Sequence, residues 1–252
     1  MKLDEAFKNK FLYSKGLNIF KLLYFCYQFF KSYNIQRKRK LYSNWGIDMV
    51  AEDFFKKKPI GIYIDVGCHH PFLNNNTYRL YKRGWSGLNI DLDFNTIEMF
   101  NFFRRSDLNI EAAISNTEEE KDFFFFHNRS AINTLSKKSG IYAREIKKIN
   151  TTSLNTIIEN SRFKDQQINY ISIDVEGHEL NVLKGFDLKK YKPNLVILEF
   201  IDPNIKEFYQ QKIQNIIDSE LYRYMNYHNY KLVNWIHDDL VFTQKENIQS
   251  FK

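Results

Sequence analysis

The sequence predicts an α/β fold, a doubly wound and mostly parallel sheet preceded by a basic helical extension. From residue 58 onward, short apolar runs alternate with amphipathic stretches, the pattern of parallel strands joined by crossover helices. Three of those runs end in an acid, Asp65, Asp91 and Asp174, at the strand ends where open α/β sheets bind ligands. The chain has 252 residues, 43% hydrophobic and 27% charged, which suffices for one large domain and excludes a disordered chain.

Residues 1–57 read as the extension and residues 58–252 as the domain. Residues 1–40 hold ten Lys or Arg against two Asp or Glu, a net of +8, while the whole chain carries +7. The body is therefore close to neutral, which does not suit a nucleic-acid binder whose affinity comes from neutralising many phosphates. In residues 19–30, Ile19, Phe20, Leu22, Leu23, Tyr24, Phe25, Tyr27, Phe29 and Phe30 wrap most of a helix, with Lys21 and Gln28 on a narrow polar stripe. Two readings stand. Either the helix packs its apolar arc onto the domain or a second subunit, or residues 1–40 make peripheral contact with a membrane through basic flanks.

No run reaches the roughly 18 apolar residues that a spanning helix needs. Phe30 runs into Lys31 and the basic residues 37–40, which is no signal-peptide cleavage site. Cys26 and Cys68 are too few for a disulfide framework. These features predict a cytoplasmic protein, with the inner face of the membrane as the alternative location. The oligomeric state is not legible.

The first strand covers 60–66 and a short helix 76–83, stopped by Gly84. A second strand at 86–91 precedes a helix over 95–104, and a third strand spans 108–114. Residues 121–127, with four consecutive phenylalanines, read as an added strand, and 131–150 as an irregular excursion. A short helix follows at 153–160, capped by Thr152 or Ser153. The fourth strand covers 168–174, a helix 179–185 with Leu180 and Leu183 inward, and the fifth strand 195–200 begins after Pro193. A long amphipathic helix over 205–222 and a hairpin of 230–236 with 240–243, turning at Asp238 and Asp239, complete the chain.

After the first strand, Gly67 allows a sharp turn and close approach of backbone to a ligand, and Asp65 can accept hydrogen bonds from that loop or from a ligand ammonium. Asp91, roughly 25 residues on at the end of the next strand, is placed to hold the two hydroxyls of a ribose. A dinucleotide site would need further glycines on the first turn for the pyrophosphate. His69, His70 and Pro71 stand there instead, so a ribose-bearing ligand without pyrophosphate fits better.

The stretches Asp65-Val66-Gly67-Cys68-His69-His70-Pro71, Asn75-Asn76-Thr77-Tyr78, Arg83-Gly84-Trp85-Ser86-Gly87-Leu88-Asn89-Ile90-Asp91 and Asp174-Val175-Glu176-Gly177-His178-Glu179, with Leu183-Lys184-Gly185, resemble the FkbM-type methyltransferases. The resemblance runs over about 58–242, including a tail similar to the family's at 230–236. It implies the class I methyltransferase fold, a seven-stranded Rossmann-like sheet with its last strand antiparallel. It also implies methyl transfer from S-adenosyl-L-methionine, most often onto a hydroxyl of a sugar, a surface glycan or another metabolite. Residue by residue, it places Asp65, Gly67, Cys68 and His69 on the methionine part, Asp91 on the ribose, and Leu92 and Ala113 beside the adenine. Asn76 and Thr77 open the following helix and support the same loop.

A sugar hydroxyl is a poor nucleophile, so a base helps. His178 is the first candidate because imidazole titrates near neutrality, with Asp174 or Glu176 either orienting it or replacing it. The turn 176–179 also reads simply as a helix cap with acids favoured by the dipole. Glu199 either faces the acceptor or is a solvated strand end. Two other classes remain: a metal-dependent hydrolase using His69, His70, Asp174, Glu176 and His178, for which no ligand-type spacing exists, and a non-catalytic nucleoside-binding module. No metal is expected.

Overall fold

The computed structural model describes residues 8–13, 15–39, 41–128, 130–202 and 210–251. Helix α1 (Ile19–Arg39) and helix α2 (Ile47–Phe54) precede strand β1 (Ile62–Val66), followed by α3 (Tyr78–Lys82), β2 (Ser86–Asp91), α4 (Phe94–Phe103) and β3 (Leu108–Glu111). Strands β4 (Ala113–Ile114), β5 (Glu120–Phe125) and β6 (Glu145–Thr152) come next, then α5 (Leu154–Glu159) and β7 (Tyr170–Ile173). The chain continues through α6 (Glu179–Lys184), α7 (Leu188–Tyr191), β8 (Leu195–Glu199), α8 (Ile213–Ile217), α9 (Glu220–Tyr227), β9 (Tyr230–Ile236) and β10 (Asp239–Gln244).

The main sheet has seven strands in the order β3-β2-β1-β7-β8-β10-β9. β1 pairs in parallel with β2 and β7, β8 with β7, and β10 runs antiparallel to both its neighbours. This is the class I methyltransferase arrangement, and the strand order reverses between β1 and β7, where the ligand crevice of such a sheet opens.

Side chains alternate across each strand with period two. Ile64, Val66, Leu88, Ile90, Ile171, Ile173, Val196 and Leu198 go to one core with Leu154, Val182, Leu183 and Met225. Tyr63, Tyr170, Leu195, Ile197 and Val241 go to the other, where Ile47, Ala51, Phe55, Leu80 and Trp85 cover them. Helix α2, which the sequence reading leaves in the extension, is therefore part of the core, and packing does not break at residue 57. Both faces are buried, which explains why the strands read as continuous apolar runs.

Three expectations change. The strand expected over 108–114 divides at Ala112: β3 stays in the main sheet, whereas β4 pairs with β6 in a second sheet of order β4-β6-β5. The end of the supposed excursion, residues 145–150, belongs to β6, which runs on to Thr152 antiparallel to the phenylalanine strand β5. The long helix expected over 205–222 is replaced in its described part by α8 and α9, because Ser219 accepts from the Tyr222 amide and starts a new helix; residues 203–209 lie outside the described residues.

Helix α1 lies on α4. Lys21 forms an ion pair with Glu98, Phe25 packs on Phe102 and Phe103, and Phe29 on Phe72 and Phe103. The expectation that the apolar arc faces the domain fails for most of it: Ile19, Leu23, Tyr27 and Phe30 are exposed, whereas Lys21, Phe25 and Ser32 are buried. Among the described residues no helix is long and apolar enough to cross a membrane.

Candidate active site

At the carboxyl ends of β1, β2, β7 and β8 lies a cavity of about 400 Å³, within the range of small-molecule sites. One end is built from the loops after β1 and β2. Gly67 has φ +79°, and a Cβ there would lie 1.7 Å from the Asp174 carbonyl oxygen. The glycine is thus needed both for its left-handed backbone and for the contact between the two strand-end turns. Asp91 ties this end together, since Oδ2 accepts from the His69 amide at 2.9 Å and Oδ1 from the Asp93 amide at 2.9 Å. Asp91 lines the cavity with Gly67, His69, Leu92 and Ala112.

Beneath the first-strand loop sits a buried polar cluster. Asp65 Oδ2 accepts from Asn75 Nδ2 (3.0 Å) and Thr77 Oγ1 (2.9 Å). Arg104, wholly buried, donates to Asp107 (2.9 Å), Asn75 (3.1 Å) and Thr77 (3.0 Å) as well as to the Tyr63 hydroxyl. Burial raises the Asp65 carboxyl above its ordinary range, and the Arg104 charge pulls it back.

The other end is acidic. Asp174, Glu176, Glu199, Asp238 and Asp239 line it, and one carboxyl oxygen from each of Asp174, Glu176 and Glu199 lies within 4.8 Å of the others. Asp174 faces the open cavity. Burial, reinforced by Glu179, pushes it up to about 7. Burial and then Asp174 push Glu176 to about 8, and burial with Asp174 and Asp238 pushes Asp239 to about 8. Glu179 closes the turn by accepting from the Val175 and Gly177 amides at 3.1 and 2.9 Å. Thr134, from the loop over the second sheet, braces the same turn by donating to the Glu176 carbonyl at 2.9 Å.

The Methyltransferase FkbM domain family matches residues 65–232, about two thirds of the chain. The chain belongs to this family. It is therefore a methyltransferase, with S-adenosylmethionine as the methyl donor that the family implies. Among solved structures it is similar to monomeric WbdD (10% identity, TM-score 0.42, covering 79% of this chain) and spans 40% of that chain. It is also similar to a TehB-like SAM-dependent methyltransferase from Corynebacterium glutamicum (14% identity, TM-score 0.41), covering 85% of this chain and 98% of that one. No curated protein matches it.

Within this FkbM chain the structure brings Gly67, His69, Asn76, Asp91, Leu92, Asp174, Glu176, His178 and Glu199 to one cavity. Four expected site residues do not line it. Asp65 lies on the Tyr63 side of β1 by strand alternation and serves the buried cluster. Thr77 serves it too, Cys68 is buried against Ile97 and Phe100, and Ala113 is buried within β4 while Ala112 lines the cavity in its place.

His178 is not presented as a free base. Its Nδ1 meets Asn181 Nδ2 at 3.1 Å and its Nε2 meets Ser115 Oγ at 3.0 Å. Burial, aided by the Lys121 charge, lowers it to about 4. The five-residue metal set does not assemble either: His70 Nδ1 accepts the amides of Phe72 and Leu73 and so holds the loop.

Sequence reasoning missed Phe123, Phe125, Thr134 and Lys147 from the second sheet and its loop, the Trp45 ring stacked 4.1 Å from His237, and the cavity role of Asp238 and Asp239. The run of four phenylalanines was the available signal for the first two.

Proposed function

We propose that the protein methylates a hydroxyl oxygen of a sugar, surface glycan or related polyhydroxy metabolite. The observation that carries this reading is that Asp91, the Gly67 turn and the carboxyls of Asp174, Glu176 and Glu199 all line one cavity. The residues present fit the donor: Asp91 offers carboxylate acceptors suited to a ribose diol, and the Gly67 turn exposes backbone on that side. When bound, S-adenosylmethionine supplies an electrophilic methyl group on a sulfonium centre.

The acidic end offers acceptors and no buried lysine or arginine among its described lining residues, which suits a ligand rich in hydroxyl donors. One of Asp174 and Glu176 takes the acceptor proton, because their carboxyls are open to the cavity whereas both nitrogens of His178 are engaged. The Gly67 and Asp174 turns touch, so each backbone holds the other at a set distance, which favours rate through positioning.

Calorimetric titration with S-adenosylmethionine and S-adenosylhomocysteine, with NAD as control, tests the cofactor end. Asp91→Ala is expected to weaken binding about 10- to 100-fold, the worth of one or two hydrogen bonds to a charged group. Unchanged affinity in that variant would remove the ribose assignment. Transfer of a labelled methyl group to candidate polyols, with the product linkage read by mass spectrometry, tests the acceptor.

A further inference from the structure

We propose that Asp174, Glu176 and Glu199 hold a divalent cation of the hard, oxygen-preferring kind at the acidic end of the cavity. Their carboxyl oxygens all lie within 4.8 Å of one another. Oxygens on opposite sides of a bound ion are about 4.0–4.2 Å apart for Mg²⁺ and about 4.6–5.2 Å for Ca²⁺, and adjacent ones closer, so a single ion can touch all three with little movement. Glu199 is independently short of a partner: it is 8% exposed and its Oε2 is buried with no hydrogen bond, a costly state for a carboxylate oxygen.

Among the described residues no lysine or arginine side chain pairs with these three acids. The one such side chain lining the cavity, Lys147, sits 3.6 Å over the Phe125 ring and beside Glu145. The donor set is all oxygen, because His178 is committed to Ser115 and Asn181, and such a set selects Mg²⁺, Ca²⁺ or Mn²⁺ over softer metals. Three protein ligands leave positions open toward the cavity. An acceptor with adjacent hydroxyls can fill them, a consequence that rests on the O-methylation reading, whereas cation binding itself does not.

The test is titration of chelator-treated full-length protein with Mn²⁺, followed by calorimetry and by loss of the free-ion paramagnetic resonance signal, with Ca²⁺ as competitor. One saturable site is expected, weakened at least tenfold in Glu199→Gln and in Asp174→Asn. Titration with S-adenosylmethionine in the same samples reports that each variant is folded and keeps the cofactor reading separate. No saturable binding by the wild-type protein at millimolar cation, or equal binding by both folded variants, overturns the site.

The orientation of α1 carries a second inference on other grounds. The helix turns Lys21, Phe25 and Ser32 toward the domain and leaves Ile19, Leu23, Tyr27 and Phe30 at 62, 61, 59 and 63% exposure, an apolar stripe at helical spacing. We infer that this stripe docks on an anionic lipid surface. The segment that carries it is strongly basic in sequence, with ten Lys or Arg against two acids in residues 1–40. That charge attracts an anionic bilayer and repels a second copy of the same helix.

Lys21 pairs with Glu98 on α4, whose first residue Phe94 lines the cavity, so docking brings the cavity near the lipid. Co-sedimentation with phosphatidylserine-containing vesicles is the assay, with pure phosphatidylcholine vesicles as the comparison. Binding to the anionic vesicles is expected to fall severalfold at high salt and to vanish in the double variant L23E/F30E. Absence of binding by the wild-type protein, or a dimer in light scattering that the double variant dissolves, overturns this assignment.

Discussion

Replacing Arg104 by methionine tests the cluster that holds the first-strand loop. The guanidinium is wholly buried and bonds to Asp107, Asn75 and Thr77, with Asp65 beside it. Methionine keeps much of the volume but leaves two buried carboxyls without their cation. Breaking a buried ion pair costs about 3–5 kcal/mol. The lower end applies, because Asp107 keeps the donors Tyr63, Gly87 and Asn89, and Asp65 keeps Asn75 and Thr77.

At about 2–4 °C per kcal/mol for a domain of this size, the variant is expected to melt about 6–12 °C lower at pH 7. The loss also depends on pH in a definite direction. Burial already raises the folded-state Asp65 carboxyl, and losing the Arg104 charge raises it further. The folded state then binds more protons than the unfolded one, so the stability of this group is present below the unfolded value of about 4 and is lost as pH rises through the folded value. The deficit of Arg104→Met should therefore shrink between pH 7 and pH 4.5. Thermal and urea melts across that range are the assay. A deficit below about 1 kcal/mol at pH 7, or one that grows on acidification, would refute the reasoning.

Gly67→Ala should cost roughly 2–4 kcal/mol, combining a left-handed backbone with overpacking, and any folded fraction should fail to bind S-adenosylmethionine in calorimetry. His178→Gln should leave kcat within about threefold of wild type, whereas Asp174→Asn should lower it by about a hundredfold or more; a labelled-methyl assay that reversed this order would return the base role to His178.

Strands β1, β2, β7 and β8 were legible because each is almost wholly buried and ends in or runs straight into Gly, Asp or Glu. The three acids Asp65, Asp91 and Asp174 were legible as strand ends, and their different fates were not. Asp91 and Asp174 line the cavity, while Asp65 turns away toward Arg104, a residue outside every recognisable motif. The same limit applies to His178, whose type suggests a base until Ser115, 63 positions earlier, and Asn181 are seen to hold its ring.

By itself the sequence determined the fold class, the strand ends that could bind a ligand, the family and the basic, aromatic character of the first 40 residues. These depend on local periodicity and on residue type at short spacing, which the chain carries directly. Tertiary structure alone decided which acids meet: Glu199 reaches Asp174 and Glu176 because β8 pairs with β7 in register. It also decided which face of α1 meets the domain, since that depends on the surface α4 offers. Both are contacts between segments far apart in the chain, and local periodicity holds no record of a partner's position.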